Sequence, residues 1–355
     1  MTNVKNIIEI PLLDKGQTWN YSEIYKDVKY VALDCSDENA LIGDIFQLEI
    51  SKEGDYIAFD DENKKIVRYD CTGKFCNLIG ERGNSKGEYI SPSCITYDPY
   101  AGQVLVMDNA KKSILFYDMN GNYYHSLELK KNVYAFKVID KNKILLFFDY
   151  SEGNDGYNYW IIDKNGNILS QFEEIPVRPD IPYLPCRNRV FSNWENGVYC
   201  MSHNSSIIYE VTAKSVKPIY SIKGKDITLK VGLPFDIEKT YKLNTTNEIL
   251  SFCKVKGTII ISFNINERVF MYSINKSGEI HAGHRPINDI YGPNTYGNRL
   301  SVHDNNLYFS VEPWLFESYY KRIKGKDKFD DMQKEEIHKL SQHHNPIIQI
   351  CTVKD

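Results

Sequence analysis

Two stretches of this chain lie over each other at a constant spacing of 48 residues, and that repeat constrains the fold more than any other feature. Residues 56–75 read YIAFDDENKKIVRYDCTGKF, and residues 104–123 read VLVMDNAKKSILFYDMNGNY. Asp60, Lys64, Ile66, Tyr69, Asp70 and Gly73 meet Asp108, Lys112, Ile114, Tyr117, Asp118 and Gly121. Each unit is an apolar strand, a polar turn, a second apolar strand, a tight glycine turn and a further strand. Asn120-Gly121 and Asn165-Gly166 carry the short-hairpin signature, because both residue types accept positive φ. A period of this length means like units that each bury a face against the next.

Weaker copies follow in order. Ile144–Phe148, Tyr159–Asp163 and Asn165-Gly166 make a third unit, and Gly197–Met201 with Ile207–Val211 a fourth. Thr258–Phe263, Arg268–Ile274 and Gly278 give a fifth; Arg299–His303, Leu307–Val311 and Ile347–Val353 give three strands of a sixth. That last unit lacks an outer strand, and residues 29–33 (KYVAL) are an unassigned one near the start. Adding it removes the exposed sheet edges. The expected fold is all-β: one six-bladed β-propeller domain over residues 1–355, with blades near 44–80, 93–130, 132–174, 188–222, 249–282 and 299–353 plus 29–33. A short amphipathic helix is expected over Phe329–Ser341, where Met332, Ile337 and Leu340 stand at helical spacing among charges.

The link between the first two units carries a resemblance. Gly80-Glu81-Arg82-Gly83, Lys86-Gly87-Glu88-Tyr89, Pro92-Ser93 and Ile95-Thr96-Tyr97-Asp98 resemble an NHL repeat. Gly197–Ile222, with Ser206-Ile207-Ile208-Tyr209 and Lys217-Pro218-Ile219-Tyr220, is similar to a group of uncharacterised six-bladed propellers from Bacteroidetes. So is the tail Asn345-Pro346-Ile347-Ile348-Gln349-Ile350. The resemblance implies an exported lipoprotein of the periplasm or cell surface, without a defined activity.

In such a fold the connections between second and third strands, and between blades, share one face. Here that set holds the long insertions, Glu81–Ser91, Tyr150–Asn158, Ile175–Arg187, Lys223–Glu248, Ala282–Asn298 and Glu312–Asn345, while the opposite turns are uniformly short. Loops that tolerate insertion carry function. Seven of nine arginines lie on or beside them, Arg82, Arg178, Arg187, Arg189, Arg285, Arg299 and Arg322, and aromatics including Tyr183, Tyr296 and Trp314 crowd the same segments. Arginine's planar fork suits carboxylate or phosphate, and a flat ring can stack on a sugar or peptide side chain. The expected ligand-binding set is Arg82, Arg187, Arg189, Arg285, Arg299, Tyr183, Tyr296 and Trp314. The alternative is that the arginines pair with local acids and the rings pack the loops onto the blades.

Catalytic signals are sparse. Asp60, Asp108 and Asp149 close the second strand of their blades and form the raw material for a channel metal, with the pair His281 and His284 as further candidates; an Asp there also bonds the following turn. No nucleophile elbow, zinc-protease, Walker or dinucleotide-binding pattern occurs. A monomeric, non-catalytic module binding a glycan, peptide or protein is therefore expected, with no cofactor. A divalent-metal enzyme of the lactonase, lyase or esterase type is the alternative. The net charge of −4 gives no reason to expect nucleic acid. Charges among the first twenty residues exclude a secretory h-region in the chain as it stands, and no run approaches the length of a membrane span. The eight cysteines show no metal-binding spacing; several stand inside apolar strands and are expected to be buried free thiols, with an incidental disulfide as the alternative.

Overall fold

The computed structural model describes residues 4, 6–10, 17–149, 156–175, 190–194, 197–202, 205–224, 248–265, 268–295, 301–325 and 330–355. Two strands come first, β1 (Asn6–Ile10) and β2 (Thr18–Asn20), then a single helical turn, α1 (Tyr21–Ile24), and strand β3 (Tyr25–Ala32). Blade one is β4 (Gln47–Ile50), β5 (Tyr56–Asp60), β6 (Lys65–Tyr69) and β7 (Phe75–Leu78). Blade two is β8 (Pro92–Asp98), β9 (Gln103–Asp108), β10 (Ser113–Asp118) and β11 (Tyr123–Glu128). Blade three is β12 (Ala135–Asp140), β13 (Lys143–Phe147), β14 (Tyr157–Asp163) and β15 (Ile168–Glu174). Blade four is β16 (Phe191–Trp194), β17 (Gly197–Cys200), β18 (Ile207–Thr212) and β19 (Val216–Gly224); blade five is β20 (Glu248–Val255), β21 (Thr258–Ile265), β22 (Arg268–Ile274) and β23 (Ile280–Gly283). A short strand, β24 (Arg285–Ile287), pairs with β2. Blade six is β25 (Ser301–His303), β26 (Asn306–Val311) and β27 (Ile347–Val353), completed by β3. Six four-stranded antiparallel sheets make this a six-bladed β-propeller.

By contact density the chain divides into two compact units. One takes residues 1–19, 112–114 and 127–285, and the other 20–111, 115–126 and 286–355. In the second unit, β5 shows how the blades are held. Its side chains alternate between the two faces of the sheet, as a strand's must. Ile57 and Phe59 enter one buried cluster with Ile95, Val104, Val106 and Tyr117 of blade two. Tyr56 and Ala58 enter another, with Tyr308 and Ile348 of blade six. Both faces are thus apolar, which explains the near-continuous hydrophobic runs in the sequence. Each such side chain, when fully buried, contributes about 1.5–3 kcal/mol. Polar stitches add register: Gln47 on β4 accepts from Ile95 N at 2.9 Å and donates to Ile95 O at 2.6 Å, one repeat later.

The first unit repeats the scheme. Tyr159, Phe147 and Ile161 of blade three pack with Val198, Cys200 and Val211 of blade four. Here the sequence reading missed a strand. β1 adds to the outer edge of blade four, parallel to β19, with Ile8 opposite Ile222. Ile8 and Ile10 are buried among Ile222, Ile249 and Ile265, so the addition covers an edge and extends a core.

The closing blade is built as the sequence suggested: β3 pairs antiparallel with β27, Val31 opposite Ile348 and Lys29 opposite Ile350. Among the described residues the C-terminal insertion holds two helices, where the sequence suggested one. The foreseen helix is α3 (Asp331–Leu340), capped by Asp330, whose carboxylate accepts from Gln333 N at 2.7 Å. Before it comes α2 (Pro313–Ile323), with proline in its first turn, where proline costs no helical hydrogen bond. Phe316, Ile323, Ile337 and Leu340 bury the helical pair against Val311 and Ile347. Among the described residues seven cysteines are free: Cys94, Cys200, Cys253 and Cys351 are buried, Cys35 is half-buried, and Cys71 and Cys76 are exposed.

Candidate functional site

The aspartates that end second strands have a common local job in blades one and two. Asp60 is fully buried. Its carboxylate accepts from Gly43 N at 2.7 Å, from Glu62 N and Asn63 N at 3.1 Å each, and from Asn63 Nδ2 at 2.7 Å. One repeat on, buried Asp108 accepts from Ile90 N at 2.7 Å, Ser91 N at 3.2 Å, Ala110 N at 3.0 Å and Lys111 N at 3.2 Å. Each carboxylate ties its own turn to the connection that enters the blade. A charged acceptor receiving several N–H donors is a strong local anchor.

That anchoring shapes a cleft at this end of blade one. The connection into the blade (Glu38, Asn39, Leu41, Ile42, Gly43), the Asp60 turn (Asn63, Lys64, Lys65) and the connection out of it (Gly80, Glu81, Arg82) surround a cavity of about 610 Å3, with Leu78 and Tyr89 also contributing to its wall. The entering connection is held from behind by Asn345, fully buried, which accepts from Ile42 N at 2.9 Å and donates to Asp34 O at 2.7 Å and Ala40 O at 2.8 Å. On the leaving side, Gly83 N donates to Tyr89 O at 2.9 Å and Tyr89 N to Glu81 O at 3.0 Å. Lys65 Nζ donates to Glu38 O at 3.0 Å and Leu41 O at 2.9 Å. Burial holds its ammonium below the ordinary lysine range. Lys64 is paired with Asp61. The side chains of Glu38, Glu81 and Arg82 have no hydrogen bond or ion pair among the described residues.

A second polar cluster sits at the ends of β13, β14, β15 and β17. Glu173 accepts from Asn158 Nδ2 at 3.2 Å and from Ser202 Oγ. Burial, and then the neighbouring Asp149, raises its carboxyl above the usual glutamate range. Asp149 (φ 48°) and Glu173 (φ 57°) both have left-handed backbone, which is uncommon outside glycine and asparagine.

The remaining candidates are dispersed. His284 Nδ1 lies 2.9 Å from Val269 O, while His281 Nε2 lies 3.4 Å from Glu279. The two rings thus have separate partners, one a backbone carbonyl and the other a carboxylate. Arg285 is exposed on β24, and Trp314 is 60% exposed in the first turn of α2. Among the described ligand-binding candidates, Arg82 alone lines the blade-one cleft. Arg187, Arg189, Arg299, Tyr183 and Tyr296 lie outside the described residues, as does Arg178. Among the described residues no three acidic, histidine or cysteine side chains converge as a metal site, and no helix is long and apolar enough to cross a membrane. The sequence reading missed Glu38, Asn39 and Lys65, because the connection at 34–46 is short and was not counted among the insertions. The signal was the unassigned polar segment just ahead of the first repeat.

Comparison with known proteins places this fold in a wider group. A "putative exported protein" of Bacteroides fragilis superposes with a TM-score of 0.79 at 14% identity, covering 99% of this chain and 100% of that one. A member of the DUF4221 family from Bacteroides vulgatus superposes with a TM-score of 0.52 at 12% identity, over 93% of this chain and 97% of that one. At these identities the likeness is one of fold. No curated protein matches. A family model covers residues 6–352, and the chain belongs to that family, the domain of unknown function DUF4934.

Proposed function

We propose that the protein is a non-catalytic binding propeller, presenting the loop-bearing ends of its blades to a glycan, peptide or protein partner. The observation that carries this reading is the blade-one cleft. The connection into the blade, whose Ala40, Ile42 and Ile45 pack in the core, is anchored by Asp60 and Asn345, and with the connection leaving the blade it holds charged side chains around a cavity. A preformed concave site with a few fixed polar groups is the usual form of a ligand pocket. The metal-dependent alternative draws less support, because the carboxylates of Asp60 and Asp108 already accept four hydrogen bonds each.

The test is a screen of the intact chain against glycan and peptide arrays, followed by titration of any hit. Alanine at Arg187, Arg189 and Arg285 together should abolish binding at the loop-bearing face. Undiminished affinity would remove the arginines from the reading. We further propose a monomer that binds no nucleic acid, in keeping with the net charge of −4. We also propose export as a lipoprotein of the periplasm or cell surface, supported by the name of the Bacteroides fragilis relative. Fractionation of the producing cell checks the location: recovery in the cytosol would refute it.

A further inference from the structure

We propose that the blade-one cleft recognises a zwitterionic α-amino carboxylate, namely a short peptide with both ends free. The inference rests on the binding reading above and names the ligand class for one site. It follows from charge accounting at the cavity. Lys64 is neutralised by Asp61. Of the other charged lining groups, Lys65 and Arg82 are positive, and Glu38 and Glu81 are negative. Lys65 donates to two carbonyl oxygens and feels the nearby carboxylates of Asp60, Asp37 and Glu38, whereas the side chains of Glu81 and Arg82 have no hydrogen bond or ion pair among the described residues. Cations and anions lining one cavity together disfavour a polyanion, which the glutamates would repel, and equally a polycation. A ligand with one charge of each sign satisfies both sets.

Arg82 is suited to the carboxylate end, since a guanidinium binds a carboxylate through two parallel N–H donors. Glu38 or Glu81 suits the ammonium end, as acceptors without a bound cation. Two connections present these groups: Glu38 and Lys65 flank the entering one, Glu81 and Arg82 the leaving one. Leu41, Ile42 and Leu78 add apolar lining. The volume of about 610 Å3 falls within the roughly 300–1,000 Å3 of small-molecule pockets and leaves room for more than one residue.

Calorimetric titration of the intact chain with triglycine isolates the two ends, because the ligand has no side chains. Triglycinamide and N-acetyl-triglycine remove one charge each. Both should bind about tenfold more weakly than triglycine, the loss expected for one charge-assisted contact. Arg82→Ala should weaken triglycine by about the same factor and leave triglycinamide unchanged, because the interaction it removes is already absent. The pair Glu38→Gln and Glu81→Gln should do likewise for the free and acetylated N-terminus. Free glycine matching triglycine would assign the site to free amino acids, with the same chemistry. Equal binding of the blocked forms, indifference to Arg82→Ala, or no triglycine binding at all would overturn the proposal. A partner found on the arrays that depends on Arg187, Arg189 and Arg285 would in that event leave the wider reading standing.

Discussion

The turn glycines offer a test of how the blades are locked together. Gly121 and Gly278 occupy the same position in the hairpin between third and fourth strands, in blades two and five. Their φ values are 83° and 85°. In both turns the N–H of glycine reaches the carbonyl three residues back, Asp118 or Asn275, at 3.0 Å. An added methyl therefore meets the same backbone strain at the two sites, about 1–2 kcal/mol for an L-residue held at positive φ. The surroundings differ. A Cβ on Gly121 would stand 2.2 Å from Leu78 O on the last strand of blade one, whereas a Cβ on Gly278 would meet nothing within 4 Å. Relieving the first clash requires backbone of two blades to part, for about a further 1–3 kcal/mol, the usual range for overpacking. Gly278→Ala should thus cost about 1–2 kcal/mol and Gly121→Ala about 2–5 kcal/mol. Urea unfolding of the intact chain, followed by tryptophan fluorescence and linear extrapolation, measures both. Gly73→Ala is the internal replicate, since its Cβ would lie 2.2 Å from Ala32 O. Losses for Gly121 and Gly278 that agree within about 0.5 kcal/mol would refute close blade contact as the reason for glycine.

Other consequences can be checked with the same preparations. Asn345→Ala strips the buried Ile42 N–H of its acceptor and removes a donor from Asp34 O and Ala40 O. Ala40 O keeps the Tyr69 hydroxyl as donor, so the loss should be about 1–3 kcal/mol, the cost of the one buried N–H left unpaired; an unchanged thermal midpoint would show that the connection is held elsewhere. Glu173 has its folded-state pKa raised by burial. Its contribution to stability is therefore fully present below the ordinary glutamate value and lost as pH rises through the raised one. Glu173→Gln keeps an acceptor for Ser202 and Asn158, so it should flatten that decline and stabilise the protein at neutral pH. A variant less stable than the parent at neutral pH would contradict the assignment. Chelation should leave the melting curve unmoved if Asp60 and Asp108 serve the backbone. Stabilisation by calcium that Asp60→Ala abolishes would return them to the role of metal ligands.

The architecture was legible because the repeat is written in residues with conformational roles. Asp70–Gly73 and Asp118–Gly121 are turns in which the Asp carboxylate accepts backbone N–H groups two and four residues on. Those residue types cannot drift without breaking the hairpin, whereas the apolar strand positions can exchange freely. β1 was not legible: Asn6-Ile7-Ile8-Glu9-Ile10 is too short to announce a strand, and its partner Tyr220 lies more than two hundred residues away. α2 was hidden by its composition, since Trp314, Phe316, Tyr319 and Tyr320 favour strands locally and only burial of Phe316 and Ile323 draws the segment into a helix. The cleft was half legible. Arg82 stood out in a glycine-rich link, but Glu38 and Lys65 gain meaning only once two connections are folded beside each other. Asp149 was singled out for its place in the repeat; Glu173, its neighbour, stands at the end of an exposed outer strand with nothing in its sequence context to mark it.

The pairing of β3 with β27 also sets a timetable. Ile42 and the Asn345 that holds it are separated by 303 residues, which a ribosome adds in about 15–60 s at roughly 5–20 residues per second. Through that interval the nascent β3 has no strand to pair with, while the strands of blade one can already find one another. Neighbouring nascent chains on the same message offer it the wrong partner. Exposed Lys26 and Lys29 stand on either side of buried Val28 in β3, and charge on a waiting strand discourages such edge-to-edge pairing.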